Sequence, residues 1–578
     1  MLKKIYKYWK IVLGVVFILL MFSTPILWKY RYHLKNLLVI RLSNSIELED
    51  NSTLLAVFSF KDLNQSQLID KSVHYKIKLV KSSGIPITRE EINEINNSSV
   101  PIIFTIETWG VNGYLSFKQD EMKSLFDGKY DKLIQEFCVS VIGDRPNVYF
   151  RLNPEIEVPS ITFPWQGHLI SYQKAFEHLS NLTSIHAPQV KHIFGGAGYP
   201  GVLEYYPNDN QVDVGSVVLS PESEKAINYY PKYNSVYYDL FRRLHRLRFL
   251  DRPIFIFGSS EVDRLSINRE LLDSIKNKVH SERKIIYTKA NYITPKNNIK
   301  RSFSNAFEFG LYDPNDLLNT ETSVSIEHLF VDFSSLYDGS FEKRFKDVLL
   351  RNHNIIVTFE PFRNPFGKDD TKVLENVIIQ TYDKEIEKLY SIISQTSKKV
   401  YLRFGHEMEI PITRYPWQSQ DPIIYIKSFR YFMSFRDSLS SNIKRVWGPA
   451  GDRGSTEFWP GSDVVDLISF AIYGLPDKNI TDPKKQLSFA TFFQIKKRRM
   501  RFLDKPIFIT EFGVKGPEDY QKKWLEGAAN IIKDDPQIIG ANYFNMSDTP
   551  KAWGDIKPPD WSISKANLHH FINTLNEK

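Results

Sequence analysis

The feature that most restricts what this chain can fold into is that it repeats itself. Residues 149–165 read Y-F-R-L-N-P-E-I-E-V-P-S-I-T-F-P-W and residues 401–417 read Y-L-R-F-G-H-E-M-E-I-P-I-T-R-Y-P-W, with seven of 17 positions identical. Residues 248–256 and 501–509 agree at eight of nine positions, R-F-L-D-R-P-I-F-I against R-F-L-D-K-P-I-F-I. These pairs are offset by 252 and 253 residues, and smaller echoes keep that spacing: Tyr130-Asp131-Lys132 with Tyr382-Asp383-Lys384, and Thr105-x-Glu107 with Thr358-x-Glu360. Collinear matches at a constant offset read as two copies of one domain of about 250 residues, an ordinary domain size.

Each copy alternates short apolar runs with amphipathic stretches, the pattern of strands alternating with helices. In the second copy the strand candidates are 306–311, 328–333, 355–360, 400–404, 444–447, 465–470, 506–510 and 538–544. In the first they are 54–60, 75–80, 102–106, 148–152, 190–194, 212–219, 253–257 and 284–287. Eight βα units in such a length predict a (β/α)8 barrel. The expected fold class is therefore α/β, with two tandem (β/α)8 TIM barrels preceded by a single N-terminal transmembrane helix. The predicted divisions are residues 1–45, 46–298 and 299–578, the second boundary falling in the polar, basic run 293–304.

The transmembrane expectation rests on the apolar run 11–28, which begins at Ile11 and ends at Trp28. Lys3, Lys4, Lys7 and Lys10 precede it, and Lys29, Arg31 and Lys35 follow. A helix of roughly 18 residues just crosses a bilayer, and no small-x-small cleavage site follows it. The reading is an uncleaved single-pass membrane anchor with the barrels extracytoplasmic and the lipid bilayer as a partner. The net charge of +8 is spread along the chain, with no basic block that would suit nucleic acid. The single cysteine, Cys138, permits no internal disulfide.

The chemistry-bearing residues lie in the second copy. Glu407 follows the fourth predicted strand and Glu511 the seventh, and residues just past strand ends line a barrel's mouth. Two carboxylates so placed are what hydrolysis of a glycosidic bond needs: one protonated to serve the leaving oxygen, one ionised to attack, about 5–5.5 Å apart in a retaining enzyme. Arg403, inward on the fourth strand, is positioned to hold Glu511 ionised. No His-x-x-His or other ligand cluster points to a metal, and two carboxylates need no cofactor.

The R-F-G-H-E after strand four and the I-T-E-F-G after strand seven resemble the β-mannanase family of glycoside hydrolases, family 26, a member of the clan of retaining (β/α)8 glycosidases. The resemblance covers most of residues 300–578 in motif order and the first copy faintly. It implies that Glu407 is the acid/base, that Glu511 is the nucleophile, and that Tyr473 donates to the nucleophile. His406 is read as a hydrogen-bond donor to sugar hydroxyls or to a carboxylate. Trp417, Trp447, Trp459 and Trp553 are candidate sugar platforms, since aromatic faces pack on pyranose rings, and Glu360 after strand three is placed to reach substrate. The end of strand eight reads A-N-Y-F-N, without the tryptophan usual in the clan, so Tyr543 or Phe544 is expected to take that place. Ala471 stands where many family members carry aspartate.

The first copy keeps Glu155 opposite Glu407 but has Pro154 for the histidine and Gly258 for Glu511. Without a nucleophile it has no route to a covalent intermediate, so a non-catalytic, glycan-binding or scaffold barrel is expected. The chain as a whole then reads as a membrane-anchored retaining β-glycoside hydrolase acting on a β-linked polysaccharide: β-mannan, β-glucan or an exopolysaccharide of the cell itself. The alternative is a non-hydrolytic glycan-binding protein partnered with an exopolysaccharide synthesis or export machinery.

Overall fold

The computed structural model describes residues 53–79, 99–109, 121–159, 163–219, 235–258, 267–288, 307–362, 370–411, 414–435, 441–474, 487–548 and 557–577. The expected membrane span 11–28, the boundary run 293–304 and Trp553 lie outside the described residues. No helix among the described residues is long and apolar enough to cross a membrane.

The second half contains one closed barrel. Its strands are β9 (Glu308–Tyr312), β10 (Ile326–Val331), β11 (Asn354–Phe359), β12 (Val400–Phe404), β13 (Ile443–Trp447), β14 (Leu467–Tyr473), β15 (Ile507–Gly513) and β16 (Ile538–Phe544). They pair in sequence order, all parallel, and β16 closes on β9. The eight predicted strands correspond to these within three residues at either end. Alternation along each strand sends every second side chain inward. Those inward side chains form layers. Ile326, Ile356, Tyr401, Val446, Leu467, Phe508 and Ile539 make an apolar plug at one end. Two residues further along the strands stand the buried polar groups His328, Thr358, Arg403, Ser469 and Thr510, with Asn542 three beyond Ile539. The mouth lies above them.

The first half departs from the expected second barrel. Its strands are β1 (Thr53–Phe58), β2 (Gln67–Leu68), β3 (Val73–Leu79), β4 (Ile102–Thr108), β5 (Val148–Leu152), β6 (Lys191–Ile193), β7 (Gly215–Leu219) and β8 (Ile254–Gly258). They form two four-stranded sheets, β2-β1-β8-β7 and β3-β4-β5-β6, joined by the single bridge Ile193–Val214. β1 runs antiparallel to β8, and no described strand corresponds to β16. The expected last strand, 284–287, is instead a turn on the end of the helix Arg269–Ser281, where Ile285, Ile286 and Tyr287 all donate backbone N–H groups to the Glu282 carbonyl. Only three apolar residues stand there, against five among the seven of β16. Ile285 is exposed, while Ile286 and Tyr287 are buried and serve as a plug: Tyr287 stacks on Phe60 at 5.1 Å and meets His245 at 5.8 Å.

The halves share one hydrophobic core, with Tyr206 of the first against Phe502 of the second at 6.3 Å. Their polar contacts recur at the repeat offset. Arg248 donates to the carbonyls of Thr456 and Trp459, and Arg501, 253 residues on, donates to those of Leu203 and Tyr206, each 253 residues earlier. Arg246 pairs with Glu457, and Arg499 with Glu204, at 3.1 Å each. Gly201 and Gly454 face the opposite half across this contact with φ of +87° and +86°: a Cβ on the first would meet the Arg453 side chain at 2.8 Å, and on the second Pro200 at 3.1 Å. Reciprocal contacts of this kind make the interface isologous, like that of a two-fold dimer.

Candidate active site

The site forms where β12 and β15 end. After Phe404 the chain leaves the sheet through Gly405 at φ +47° and reaches Glu407 at φ +54°. A non-glycine residue in this left-handed region costs about 1–2 kcal/mol and persists only where its surroundings fix it. Here the Glu407 N–H donates to the Gly448 carbonyl at 2.8 Å, and Gln418 Nε2 donates to the Glu407 carbonyl at 3.2 Å. Glu409, two residues on, is buried and accepts from the N–H groups of Ala450, Gly451 and Asp452 and from Ser455 Oγ. That set ties the Glu407 turn to the loop after β13. Glu157 does the same in the first half, taking the N–H groups of Ala197 and Tyr199.

Glu511 is aimed by an irregularity in β15. Toward β14, the pairs Ser469–Phe508 and Ala471–Glu511 enclose one residue on β14 and two on β15. This extra residue acts as a bulge and lets both Thr510 and Glu511 meet the same guanidinium. Arg403 donates through Nη1 to Thr510 Oγ1 at 2.8 Å, through Nη2 to Glu511 Oε1, and through Nε to Thr358 Oγ1 at 2.9 Å. The Tyr473 hydroxyl donates to Glu511 Oε2 at 3.0 Å. Both carboxylate oxygens therefore receive a donor, as expected for an anion.

Glu407 faces a different environment. Burial, reinforced by the negative charge of Glu511, pushes its carboxyl up to about 7, while Arg414 and Arg403 act in the opposite sense. Glu360, 12% exposed at the end of β11, is pushed up to about 8, again mainly by burial. His406 lies 3.9 Å from Glu360. Burial together with Arg403 holds this imidazole well below its usual range, so it is neutral. Its ring is wedged among Phe330 (5.9 Å), Tyr415 (5.4 Å) and Trp417 (6.0 Å).

The sequence-predicted residues thus divide. Glu407, Glu511, Arg403, Tyr473, His406 and Glu360 converge on one mouth. Trp417 does not serve as a platform: it is fully buried, donates from Nε1 to the His406 carbonyl at 2.7 Å, and stacks in a column with Tyr415 and Phe362. Trp447 is likewise fully buried, edge-on to Trp459 at 5.1 Å, with no face open to a ligand. Tyr543 points away from the mouth; its hydroxyl donates to the Trp561 carbonyl at 2.7 Å and accepts from the Val514 N–H at 3.3 Å. Its neighbour Phe544 takes the rim position, 4.6 Å from Tyr312 and 6.0 Å from Tyr473.

Sequence reasoning missed Tyr312, Phe330, Trp561 and Arg414. Trp561 packs on Tyr473 at 4.7 Å from far along the chain, which no local pattern reveals. Arg414 carried a signal, because it aligns with Thr162 in the first copy, a charge gained where the copies otherwise agree. Its guanidinium stands 5.1 Å from the Tyr415 ring centroid, within the fields of Glu407, Asp548 and Glu360, and its Nε has no hydrogen-bond partner among the described residues. No group of three or more potential metal ligands occurs among the described residues.

No known protein-family profile matches the chain. Two curated sequences do: a β-1,3-xylanase, TXYA, of Vibrio sp., 27% identical over 181 residues, 28% of this chain and 35% of that one; and a β-1,3-xylanase of Alcaligenes sp., 25% identical over 155 residues, 26% and 29%. The chain thus spans about a third of the length of the curated relatives it matches. Among solved structures, GH26C from Muricauda sp. aligns with 42% of this chain and 79% of its own, at 16% identity and a TM-score of 0.33.

Proposed function

We propose that the second half is a retaining β-glycoside hydrolase. In this reading Glu511 is the nucleophile and Glu407 the acid/base, in a chain that arose by duplication and whose first half has lost the chemistry. The observation that carries the proposal is the opposed treatment of two neighbouring carboxyls: Glu511 receives Arg403 and Tyr473, whereas Glu407 is pushed up to about 7. A carboxyl held by a guanidinium and a hydroxyl, beside one raised by burial, suits a nucleophile and an acid. Glu407 protonates the glycosidic oxygen as Glu511 attacks the anomeric carbon, and the C–O bond to the leaving sugar breaks. Glu407, now a carboxylate, then takes a proton from the water that releases the glycosyl group from Glu511. Tyr473 and Arg403 hold the attacking oxygens, while Phe544, Tyr312 and Phe330 offer aromatic surface to the sugar.

The substrate is a β-linked polysaccharide. The family-26 resemblance favours mannan, the curated relatives bring β-1,3-xylan into the set, and β-glucan and a self-made exopolysaccharide complete it. Residues 11–28 anchor the chain in the membrane with both halves outside the cytoplasm. A second reading, a glycan guide at an exopolysaccharide synthesis machinery, is favoured by the phenylalanine at the β16 tip and by Gly258.

The deciding experiment measures reducing-sugar release from β-mannan, β-glucan, β-1,4-xylan and β-1,3-xylan by wild type, Glu511→Ala and Glu407→Gln. Product stereochemistry is followed by NMR. Release with retained anomeric configuration, lost in both variants, is expected. Release with inversion would sink the retaining mechanism, and binding without release by wild type would establish the guide.

A further inference from the structure

The polar layer below the mouth contains a group that the mechanism leaves without a task. His328, on β10, is 2% exposed and stands one layer beneath the reacting carboxyls. Its Nε2 lies 2.8 Å from Thr358 Oγ1, and its Nδ1 lies 3.5 Å from the side-chain amide of Asn542, on β16. Thr358 Oγ1 already accepts from Arg403 Nε at 2.9 Å. A guanidinium can only donate, so Thr358 spends a lone pair there and has one proton left to give.

Two proton arrangements fit these positions. In one, His328 carries its proton on Nε2 and donates to Thr358. Thr358 then accepts twice and its own proton goes elsewhere, while Asn542 donates to Nδ1, and the fully buried Asn542 Oδ1 has no hydrogen-bond partner among the described residues. In the other, His328 carries its proton on Nδ1. Thr358 donates to Nε2, and the Asn542 amide is turned by 180° so that its oxygen accepts from Nδ1–H. The turned nitrogen then stands beside Gly310, a space that the Ile326 carbonyl also borders. Oxygen and nitrogen of such an amide are assigned by their hydrogen bonds, and a buried polar atom without a partner costs about 1–3 kcal/mol. The second arrangement gives the amide oxygen a donor and turns the nitrogen toward the side that the Ile326 carbonyl borders.

We propose that His328 is a positioning residue: as the neutral Nδ1–H tautomer it fixes the Thr358 hydroxyl as an acceptor for Arg403 Nε, and so aims the guanidinium that receives Glu511. The chain of bonds runs Asn542, His328, Thr358, Arg403, Glu511, and links β16, β10, β11, β12 and β15 through the barrel interior. Each member is at most 5% exposed, so bulk solvent has little access to these bonds. Burial with the positive charge of Arg403 beside it keeps the imidazole neutral, which the arrangement requires. In the first half the counterpart guanidinium, Arg151, lies 4.1 Å from the Phe257 ring, and Lys76, His74 and Tyr75 occupy the strand that corresponds to β10.

The role of His328 in catalysis rests on the hydrolase reading; its tautomer does not. The test uses the full chain carrying His328→Leu, Thr358→Val or His328→Gln. Leucine removes the acceptor at near-constant volume, and valine removes the hydroxyl. Glutamine can accept from Thr358 with its oxygen and donate to Asn542 with its nitrogen. The first two are expected to lower kcat between roughly 10- and 100-fold, the range for a displaced reacting group, with KM nearly unchanged. His328→Gln is expected to stay close to wild type. Histidine-selective 15N NMR at neutral pH, with the His328 signal identified by its loss in His328→Gln, is expected to show a neutral ring protonated on Nδ1. An Nε2–H or doubly protonated ring would overturn the proposal, whatever the enzyme cleaves. Full kcat in both His328→Leu and Thr358→Val, or His328→Gln no better than His328→Leu, would overturn the positioning role and leave the hydrolase reading standing. A wild type that cleaves no glycan would overturn that role and the hydrolase reading together, with the tautomer decided by the NMR signal alone.

Discussion

Arg403 and Arg151 occupy corresponding places on corresponding strands, and they do different things. Arg403 donates to Glu511, Thr510 and Thr358, whereas Arg151 stands 4.1 Å from the Phe257 ring, on a strand, β8, that ends in Gly258 rather than a glutamate. Glu155 keeps the left-handed turn of Glu407, φ +58° against +54°, and Asn153 replaces Gly405 at φ +43° against +47°. Glu107, the counterpart of Glu360, is locked instead by Lys76 at 3.4 Å and by the Trp109 N–H. The comparison teaches that the strand frame, the turn after strand four and the carboxylates Glu157 and Glu409 that tie that turn down survive without chemistry. They are held by packing and backbone hydrogen bonds. Among the described residues, barrel closure and the nucleophile are present only where glycosidic chemistry is proposed.

The comparison breaks first at the carboxylates. Glu511→Ala is expected to bring hydrolysis to background, and Glu407→Gln to lower kcat on polysaccharide roughly 100- to 10,000-fold, both read as reducing-sugar release. Adding Gly258→Glu to Glu511→Ala should restore nothing, since the first half also lacks the histidine at Pro154 and the closing strand. Recovery of activity would show that one missing side chain was the whole difference.

Next is the interface. Glu457 is 3% exposed and receives Arg242 at 2.6 Å and Arg246 at 3.1 Å. Burial alone would raise its carboxyl, but the two arginines outweigh it and the net shift is downward. A carboxyl lowered in the folded state contributes stability above its unfolded value that is lost as pH falls through the folded one. Stability should therefore decline on acidification below the ordinary carboxylate range. Glu457→Gln should cost about 3–5 kcal/mol in denaturant unfolding and flatten that dependence.

A smaller effect concerns pH and rate. The first step needs Glu407 protonated, so kcat/KM should fall as pH rises past about 7. Arg414 lowers the Glu407 carboxyl, so Arg414→Gln should move that basic limb upward. A limb that moves down would remove Arg414 from the acid's environment. The smallest effect is expected from Glu360→Gln. With its carboxyl pushed up to about 8, Glu360 is already neutral at pH 7, and the amide should leave KM and kcat nearly unchanged there. A large loss would mean that the carboxylate form is used.

Much of the second half was legible. The eight strands of the closed barrel follow from apolar runs spaced by helices, and Glu407, Glu511, Arg403 and Tyr473 meet because residues at the ends of parallel strands share one rim. The aromatic assignments came out differently along the rim. Trp417 and Trp447 were placed by their distance from a strand end, but that distance does not say whether an indole faces the mouth or the surrounding helices. Tyr543 and Phe544 are adjacent, and the two-residue period of a strand puts only one of them inward; parity in β16 is set by its pairing with β9, where Tyr543 lies opposite Leu311 and Phe544 opposite Tyr312. The first half misled for a further reason. Its core pattern is that of a barrel strand set, yet closure depends on a last strand long enough to pair on both edges, and Ile286 and Tyr287 pack as a plug instead.

The sequence by itself determined the repeat, the order of strands and helices and the residues standing at the strand tips, because these depend on periodicity and on collinear spacing along the chain. Only the tertiary structure decided which half closes, which carboxyl receives the guanidinium and which aromatic reaches the rim. Those outcomes depend on register and on one extra residue in β15. Both are fixed by pairing between segments that lie far apart in the chain, for which no local pattern carries a signal.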